Sequence, residues 1–143
     1  MPSVVVQIAD AVVTELNGHA FTQPFTAARA YLPVFDLGEM TDLHVTVVPK
    51  GVAVQSAGRN LLQTDYSVDV AVQQKVPPET PASVDPLLAL AEEIAAFFRL
   101  RRLASFAAAA WVKTEHAPVY SPEHMEQYRQ FTSVITLTFR GIQ

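Results

Sequence analysis

The stretch YSPEHMEQYRQFTSVITLTFR, residues 120–140, decides the fold of this 143-residue chain. From Phe131 to Phe139 the side chains alternate between an apolar-rich set (Phe, Ser, Ile, Leu, Phe) and a set of three threonines and one valine. A two-residue period predicts a strand with one buried face. Just before it, Ser121 and Pro122 predict the start of a short helix, because serine caps helices and proline fits the first helical position. The stretch contains no catalytic motif.

Two longer helices are predicted upstream. The first runs from its N-cap Ser3 to about Asn17, and its broad apolar arc predicts that it lies on a sheet. The second has Asp85 as N-cap and Pro86 as its first residue, and is expected to reach about Leu103. Its apolar face consists of Leu87, Leu90, Ala91, Ile94, Phe97 and Phe98.

The remaining strands follow from β-branched runs bounded by proline and by polar turns. They are predicted at about 26–32, 43–48, 52–55, 63–76 and 107–115, with residues 56–60 as a loop and the proline-rich segment 76–86 as irregular chain. Prolines 33, 49 and 118 are expected to end strands. This order of elements predicts an α+β fold, a mainly antiparallel sheet of four to six strands with two main helices on one face, in a single domain over residues 1–143.

The composition favours contacts between copies of the chain. Half of the residues are hydrophobic and 17% are charged, below the roughly 25% that is usual for soluble domains. The chain has no cysteine, so disulfides, thiolate metal sites and cysteine nucleophiles are excluded, and folding in a reducing cytoplasm is expected. The start MPSVVVQIAD lacks the basic segment of a signal peptide, and no membrane span is expected.

The net charge of −4 argues against a nucleic-acid grip. Residues 1–83 carry eight acids and four bases, whereas residues 84–143 carry six of each. A basic stripe for phosphate contacts is missing. The charge fits either an ordinary acidic soluble protein or a surface that DNA passes without sticking.

Enzyme chemistry finds little support in the sequence. The four histidines are scattered, with no HExxH spacing, and the serines lie outside any GxSxG elbow. One group, Glu115, His116, Glu123 and His124, could gather near a strand end as a metal site, although such residues are more often solvated loop polars. We therefore expect a protein that is not an enzyme, with no catalytic residue, cofactor or metal ligand.

Three cationic side chains lie at positions where an isolated subunit has no evident partner for them. Lys50 and Arg59 lie in the excursion from Val48 to Gln63, which is expected to form an extended hairpin or loop. Arg101 projects from the apolar face of the second helix. Either the helix frays before Arg101, or the guanidinium reaches the negative helix end, or it pairs with an acid on an adjacent subunit. Lys50, Arg59 and Arg101 are accordingly the candidate subunit or partner interface.

Five segments together resemble the small neck and tail-completion proteins of tailed bacteriophages, particularly tail terminators. They are VVVQIADAVVTELN, FTQPFTAARAYLPVFDL, HVTVVPKGV, QTDYSVDVAVQQKV and VYSPEHMEQYRQFTSVITLTFR, and they cover most of the chain. Proteins of this kind are typically rings, often of six copies, that cap a finished tail tube and present a surface to the head connector. The resemblance carries over no catalytic residues.

The resemblance implies a structural virion protein at the head–tail junction, assembled in the host cytoplasm. Its implied partners are its own copies in a ring, the tail tube protein, and the head–tail connector or stopper, with DNA passing through the lumen without specific binding. Another neck component, a stopper or a head–tail joining protein, is similar in size and stays open. So does a cytoplasmic homo-oligomeric domain that binds a small ligand between helices and sheet.

Overall fold

A computed structural model describes residues 3–31, 42–75, 81–117, 119–128 and 130–142. These residues form an α+β fold with a five-stranded sheet, as the order of elements predicted. In chain order the elements are α1 (Val4–Asn17), β1 (Ala27–Arg29), β2 (His44–Gly58), β3 (Leu61–Lys75), α2 (Pro81–Phe98), β4 (Ala110–Glu115), α3 (Pro122–Tyr128) and β5 (Gln130–Ile142).

The sheet is mainly antiparallel, with the strand order β1-β2-β3-β5-β4. The short strand β1 runs parallel to β2, and every other neighbouring pair is antiparallel. Strand β5 pairs with β3 over its whole length, from Gln63 opposite Ile142 to Lys75 opposite Gln130. The last strand in sequence therefore lies inside the sheet, and β1 and β4 form its edges.

The hydrophobic core lies between the two long helices and one face of the sheet, called the inner face below. Val47, Val70 and Ile135 are cross-strand neighbours on this face, and all three are fully buried. Burying each such side chain stabilises the fold by about 1.5–3 kcal/mol. The predicted inner face of β5 is confirmed, because its five side chains are all buried: Phe131, Ser133, Ile135, Leu137 and Phe139. The alternation is incomplete, since Thr132 and Thr138 on the outer face are buried as well.

Both long helices bury the apolar faces that their sequences predicted. Helix α1 buries Ile8, Val12 and Leu16, and its predicted bounds are confirmed. Ser3 holds the N-cap position through its backbone, since its carbonyl accepts from the N–H of Gln7 at 3.0 Å while its side chain makes no cap hydrogen bond. Helix α2 buries Leu87, Leu90, Ala91, Ile94 and Phe98, whereas Phe97, predicted on the same face, is only partly buried.

Helix α2 is displaced towards the N-terminus from its predicted position. It begins at Pro81 and contains Pro86, so the predicted start at Asp85 is wrong. Proline is tolerated at position 81, the first residue of the helix, because the N–H groups of the first turn have no hydrogen-bond partner inside the helix. Residues 76–80 of the predicted irregular segment lie outside the described residues. The helix ends at Phe98, before the predicted Leu103, and Leu100 adopts a left-handed conformation with φ of 58°.

Strand β2 is also longer than predicted. Pro49 was expected to end it, but the strand continues to Gly58 through an irregularity between Pro49 and Gly51. Proline is tolerated there because β1 pairs with β2 only from Val45 to Val47, and no described strand lies beside Pro49 on that side of β2. The separate strand at 52–55 and the loop at 56–60 are thus parts of one hairpin, whose turn is at Arg59 and Asn60.

Smaller differences concern β1, β4 and β5. Strand β1 is described over 27–29 rather than 26–32, and its predicted end at Pro33 lies outside the described residues. Strand β4 begins at Ala110 rather than 107, and β5 extends three residues past Phe139.

The short helix α3 begins as the sequence predicted. The Ser121 hydroxyl accepts from the N–H of His124 at 3.3 Å, and Pro122 is the first helical residue. The ring of His124 bonds the Thr132 hydroxyl on the outer face of β5, at 2.8 Å. The helix therefore lies across the sheet from α1 and α2. None of the helices in the described parts of the chain is long and apolar enough to span a membrane.

Candidate functional site

The hairpin of β2 and β3 extends beyond the body of the domain. All residues from 51 to 62, called the arm below, are exposed. Strand β5 is described as far as Ile142, which lies opposite Gln63, so within the described residues the tip of the arm has no third strand beside it. Arg59 lies in the turn at the tip, next to Asn60 at φ 63°, a left-handed conformation that asparagine tolerates well. The predicted extended hairpin is thus confirmed.

The arm carries apolar side chains with no cover among the described residues. Val52, Val54 and Leu62 continue the inner face of the sheet past the helices, and they are 52%, 58% and 51% exposed. Leu61, on the other face, is 45% exposed. A contiguous group of exposed apolar residues on a projecting hairpin is typical of a protein–protein contact.

Lys50 lies at the base of the arm, on the outer face. Its ammonium group is 3.4 Å from the Thr136 hydroxyl and 3.8 Å from the Asp69 carboxylate. The Lys50 side chain nevertheless keeps about half of its surface exposed, at 54%. Thr136 donates to Asp69 at 2.7 Å, so Asp69 is already partly satisfied without Lys50. Lys50 is therefore positioned to contact a further acidic group.

Arg101 finds its partners inside its own chain. Its Nε donates to the Phe97 carbonyl at 3.0 Å, and its guanidinium lies over the Phe97 ring, 3.7 Å from the ring centroid. One terminal nitrogen is 3.8 Å from the Glu15 carboxylate on α1. The helix ends before Arg101 and the guanidinium caps its last turn, as two of the three interpretations predicted. The acid expected from an adjacent subunit is instead Glu15 of the same chain, and an interface role for Arg101 stays a prediction.

A groove of about 680 Å³ runs between α2 and the edge strand β4. One wall is formed by Glu92, Ala95, Ala96 and Arg99, and the other by residues 111–114 and His116. The Trp111 indole donates to the Thr114 hydroxyl at 2.8 Å, which fixes both side chains on the inner face of β4. No local pattern in the sequence indicates this groove, because it depends on how α2 packs beside the edge of the sheet.

The outer face of the sheet is mostly polar, and most of its charged side chains in the described residues form ion pairs. Arg140 donates to both oxygens of Asp65, at 2.8 and 3.2 Å. This hydrogen bonding lowers the pKa of Asp65, and the nearby charge of Lys113 acts in the same direction. Lys113 also lies 3.2 Å from Glu115 along β4. The alternating charges leave no cationic stripe on the described part of this face.

The structure separates the histidines that could have formed a metal site. His116 bonds the Ser133 hydroxyl at 2.6 Å on the inner face, whereas His124 bonds Thr132 on the outer face. Ser133 is fully buried, whereas His116 lines the groove between α2 and β4. Among the described residues, no group of three or more histidine, aspartate or glutamate side chains could hold a metal ion.

Comparison with solved structures finds a likeness to the sheath/tube terminator of an extracellular contractile injection system, PVC, in its extended state. The sequences are 13% identical and the TM-score is 0.48. The match covers all of this chain and 58% of that one, so this chain spans little more than half of the terminator's length. No protein-family model matches the sequence, and no curated protein matches it.

Proposed function

We propose that this protein is a ring-forming tail terminator, which caps a phage tail tube at the head–tail junction and joins it to the head connector. The observation that carries the proposal is the arm, because an exposed hairpin with three half-exposed apolar side chains on one face requires a protein partner. Five segments of the sequence resemble tail terminators, and this resemblance suggests that the partners are tail tube and head connector proteins.

The proposed mechanism is geometric and needs no catalytic group. Identical subunits contact each other through two different surfaces until the rotation closes a ring. One face of the ring then binds the end of the tube and prevents further tube subunits from being added there. The other face stays available to the connector or stopper protein.

The balance of charge supports the passage of DNA through such a ring. The net charge of −4 and the paired charges of the outer face offer no phosphate-binding stripe in the described residues. Non-specific DNA binding depends on unpaired lysine and arginine side chains that displace counterions. A lumen of this composition would let DNA slide.

The alternative of a small-ligand-binding domain predicted a closed apolar pocket between helices and sheet. That space is filled by the buried core, including Ile8, Val70 and Ile135. The groove beside β4 is open to solvent and bears the charged residues Glu92, Arg99 and Lys113. These features favour an assembly role. A stopper or another head–tail joining protein would use the same arm, and the tube-end assay below distinguishes them.

The test is assembly. Light scattering coupled to size exclusion should detect rings of the purified protein, alone or in the presence of isolated tail tubes, and electron microscopy should locate them at tube ends. The double variant Val52→Asp/Val54→Asp should fold and fail to assemble, because both side chains are more than half exposed. Gln55→Asp places one charge on the other side of the same strand and serves as the control. A protein that stays monomeric and does not bind tail tubes would refute the proposal. Rings that bind connectors but not tube ends would favour a function as a stopper protein.

A further inference from the structure

The sheet has two free edge segments in the described part of the chain. On one side, β1 pairs with β2 only as far as Val47, so no described strand pairs with the outer edge of β2 from Val48 onward. On the other side, β4 is the edge strand, and its first residue, Ala110, forms a bridge with Arg102. The free part of β4 is therefore Trp111–Glu115.

The two free segments lie at the same level of the sheet. The register across β2, β3, β5 and β4 joins them in four rows, and each segment contains one irregularity, after Pro49 in β2 and after Trp111 in β4. The rows are Val48–Asp69–Thr136–Glu115, Pro49–Val68–Leu137–Thr114, Gly51–Ser67–Thr138–Lys113 and Val52–Tyr66–Phe139–Trp111. Strand β1 lies one step below these rows, next to Val45–Val47, and the N–H of Ala30 donates to the Val47 carbonyl at 3.0 Å. Beyond Ala30, the described residues leave a notch beside Pro49–Val52.

We propose that β4 of one copy fits into this notch on the next copy, so that a continuous sheet runs from subunit to subunit. Strands β2 and β4 point in opposite directions, because three antiparallel pairings separate them. Copies placed side by side in the same orientation therefore bring β4 antiparallel to the next β2, with no shift along the strands. The backbone groups of both free edges then gain partners, although Pro49 has no N–H to donate.

The side chains of the two edges are complementary in this register. On the inner face, Val52 lies beside Trp111 of the next copy, an aromatic and β-branched pair of the kind that stabilises sheets. The groove between α2 and β4 opens on the same face next to Val52, which is half exposed in the single subunit. On the outer face, Lys50 lies between the levels of Glu115 and Lys113 of the next copy, which are 3.2 Å apart in their own subunit. Glu115 is 62% exposed, so it can contact Lys50 as well as Lys113.

This contact uses both edges, whereas a contact between two β2 edges would use only one. The notch itself contains Pro49 and Lys50, two residue types that often protect an exposed edge, whereas the segment 51–58, GVAVQSAG, has no charged residue and no proline. Two β2 edges could also pair about a two-fold axis, but that contact closes at a dimer and leaves β4 and its groove uncovered. Pairing β2 with β4 is heterologous and can close into a ring. The inference thus rests on the proposed ring and specifies the interface that closes it.

The absence of cysteine from the chain permits a direct test by disulfide cross-linking. Gly51 and Lys113 share an outer-face row, so in the proposed contact their Cα atoms lie about 4.5–5.5 Å apart, within disulfide range. Within one subunit they are three strand spacings apart, about 14 Å, which is too far for a bond. A Cβ on Gly51 meets no atom within 4 Å, and the Lys113 side chain is 59% exposed, so both replacements leave the fold intact.

The full-length double variant Gly51→Cys/Lys113→Cys should give, on mild oxidation, a ladder of covalent dimers, trimers and larger species on a non-reducing gel. Each single variant, and the double variant Gln55→Cys/Lys113→Cys with its first cysteine four residues further along β2, should not give the ladder. A dimer from Gly51→Cys alone would show two-fold pairing of β2 and overturn the inference. Rings seen by light scattering without the ladder would overturn it while the proposed function stands, whereas a monomer under all conditions would overturn both.

Discussion

Replacing Arg101 by alanine tests whether this arginine stabilises its own chain. The substitution removes a hydrogen bond to the Phe97 carbonyl at 3.0 Å, a cation–π contact at 3.7 Å and a 3.8 Å ion pair with Glu15. The hydrogen bond is worth about 1 kcal/mol, the cation–π contact a little less, and the partly exposed ion pair a few tenths, so we expect a loss of about 2 kcal/mol. For a domain of this size the melting temperature should fall by about 8 °C.

The assay is thermal unfolding followed by circular dichroism at a protein concentration too low for assembly. Arg101→Lys should lose part of the stability, because lysine keeps the charge but not the planar group that stacks on Phe97. Arg99→Ala removes an exposed cation two residues away and is the matched control, with an expected change within about 0.5 kcal/mol. Arg101→Glu should destabilise the fold more than alanine, since it places a second carboxylate near Glu15 and the negative end of α2.

Wild-type stability in Arg101→Ala would refute this reasoning. If that variant also failed to form rings, Arg101 would act between subunits, and the acid that it contacts would lie on a neighbouring copy. Glu15→Gln separates the two cases further, because it should cost only the small ion-pair contribution if the hydrogen bond and the ring contact dominate.

Four further predictions follow from the arm, the titrating groups and the charge. Arg59→Glu, at the exposed tip of the arm, should leave the melting temperature unchanged and impair ring closure or docking on tube ends, as electron microscopy would show. Burial lowers the pKa of His116 from its ordinary value of 6.5. The stability that neutral His116 contributes is therefore complete above pH 6.5 and is lost as the pH falls through the lowered pKa. His116→Gln should remove this part of the pH dependence of the free energy of unfolding. Hydrogen bonds from Arg140 lower the pKa of Asp65 from its ordinary value of 3.8. The stability that ionised Asp65 contributes is therefore complete above pH 3.8 and is lost as the pH falls through the lowered pKa. Asp65→Asn should reduce the loss of stability at acid pH. Fluorescence anisotropy with a short duplex should detect DNA binding weaker than the roughly 10⁻⁴ to 10⁻⁶ M of non-specific binders, and a tight, salt-dependent complex would contradict the sliding lumen.

The local elements of this fold could be predicted from the sequence because they depend on neighbours along the chain. The two-residue period of β5 identified the side chains of its inner face, all of which are buried, and the spacing of apolar residues in α1 and α2 identified the faces that pack on the sheet. Ser121 and Pro122 located the start of α3 for the same reason, since capping involves only the first helical turn. The class of the fold followed from the order of these elements.

Contacts between distant parts of the chain were decided only by the tertiary structure. Pro49 was expected to end a strand. In the structure no described strand pairs with β2 beside Pro49, and the missing N–H of proline costs little there. Arg101 reads as a cation without a partner until α1 brings Glu15 beside it, from 86 positions earlier in the sequence. The notch beside β2 and its match with β4 depend on the register of four strands, and no periodicity within a single strand encodes how far one strand is shifted against another.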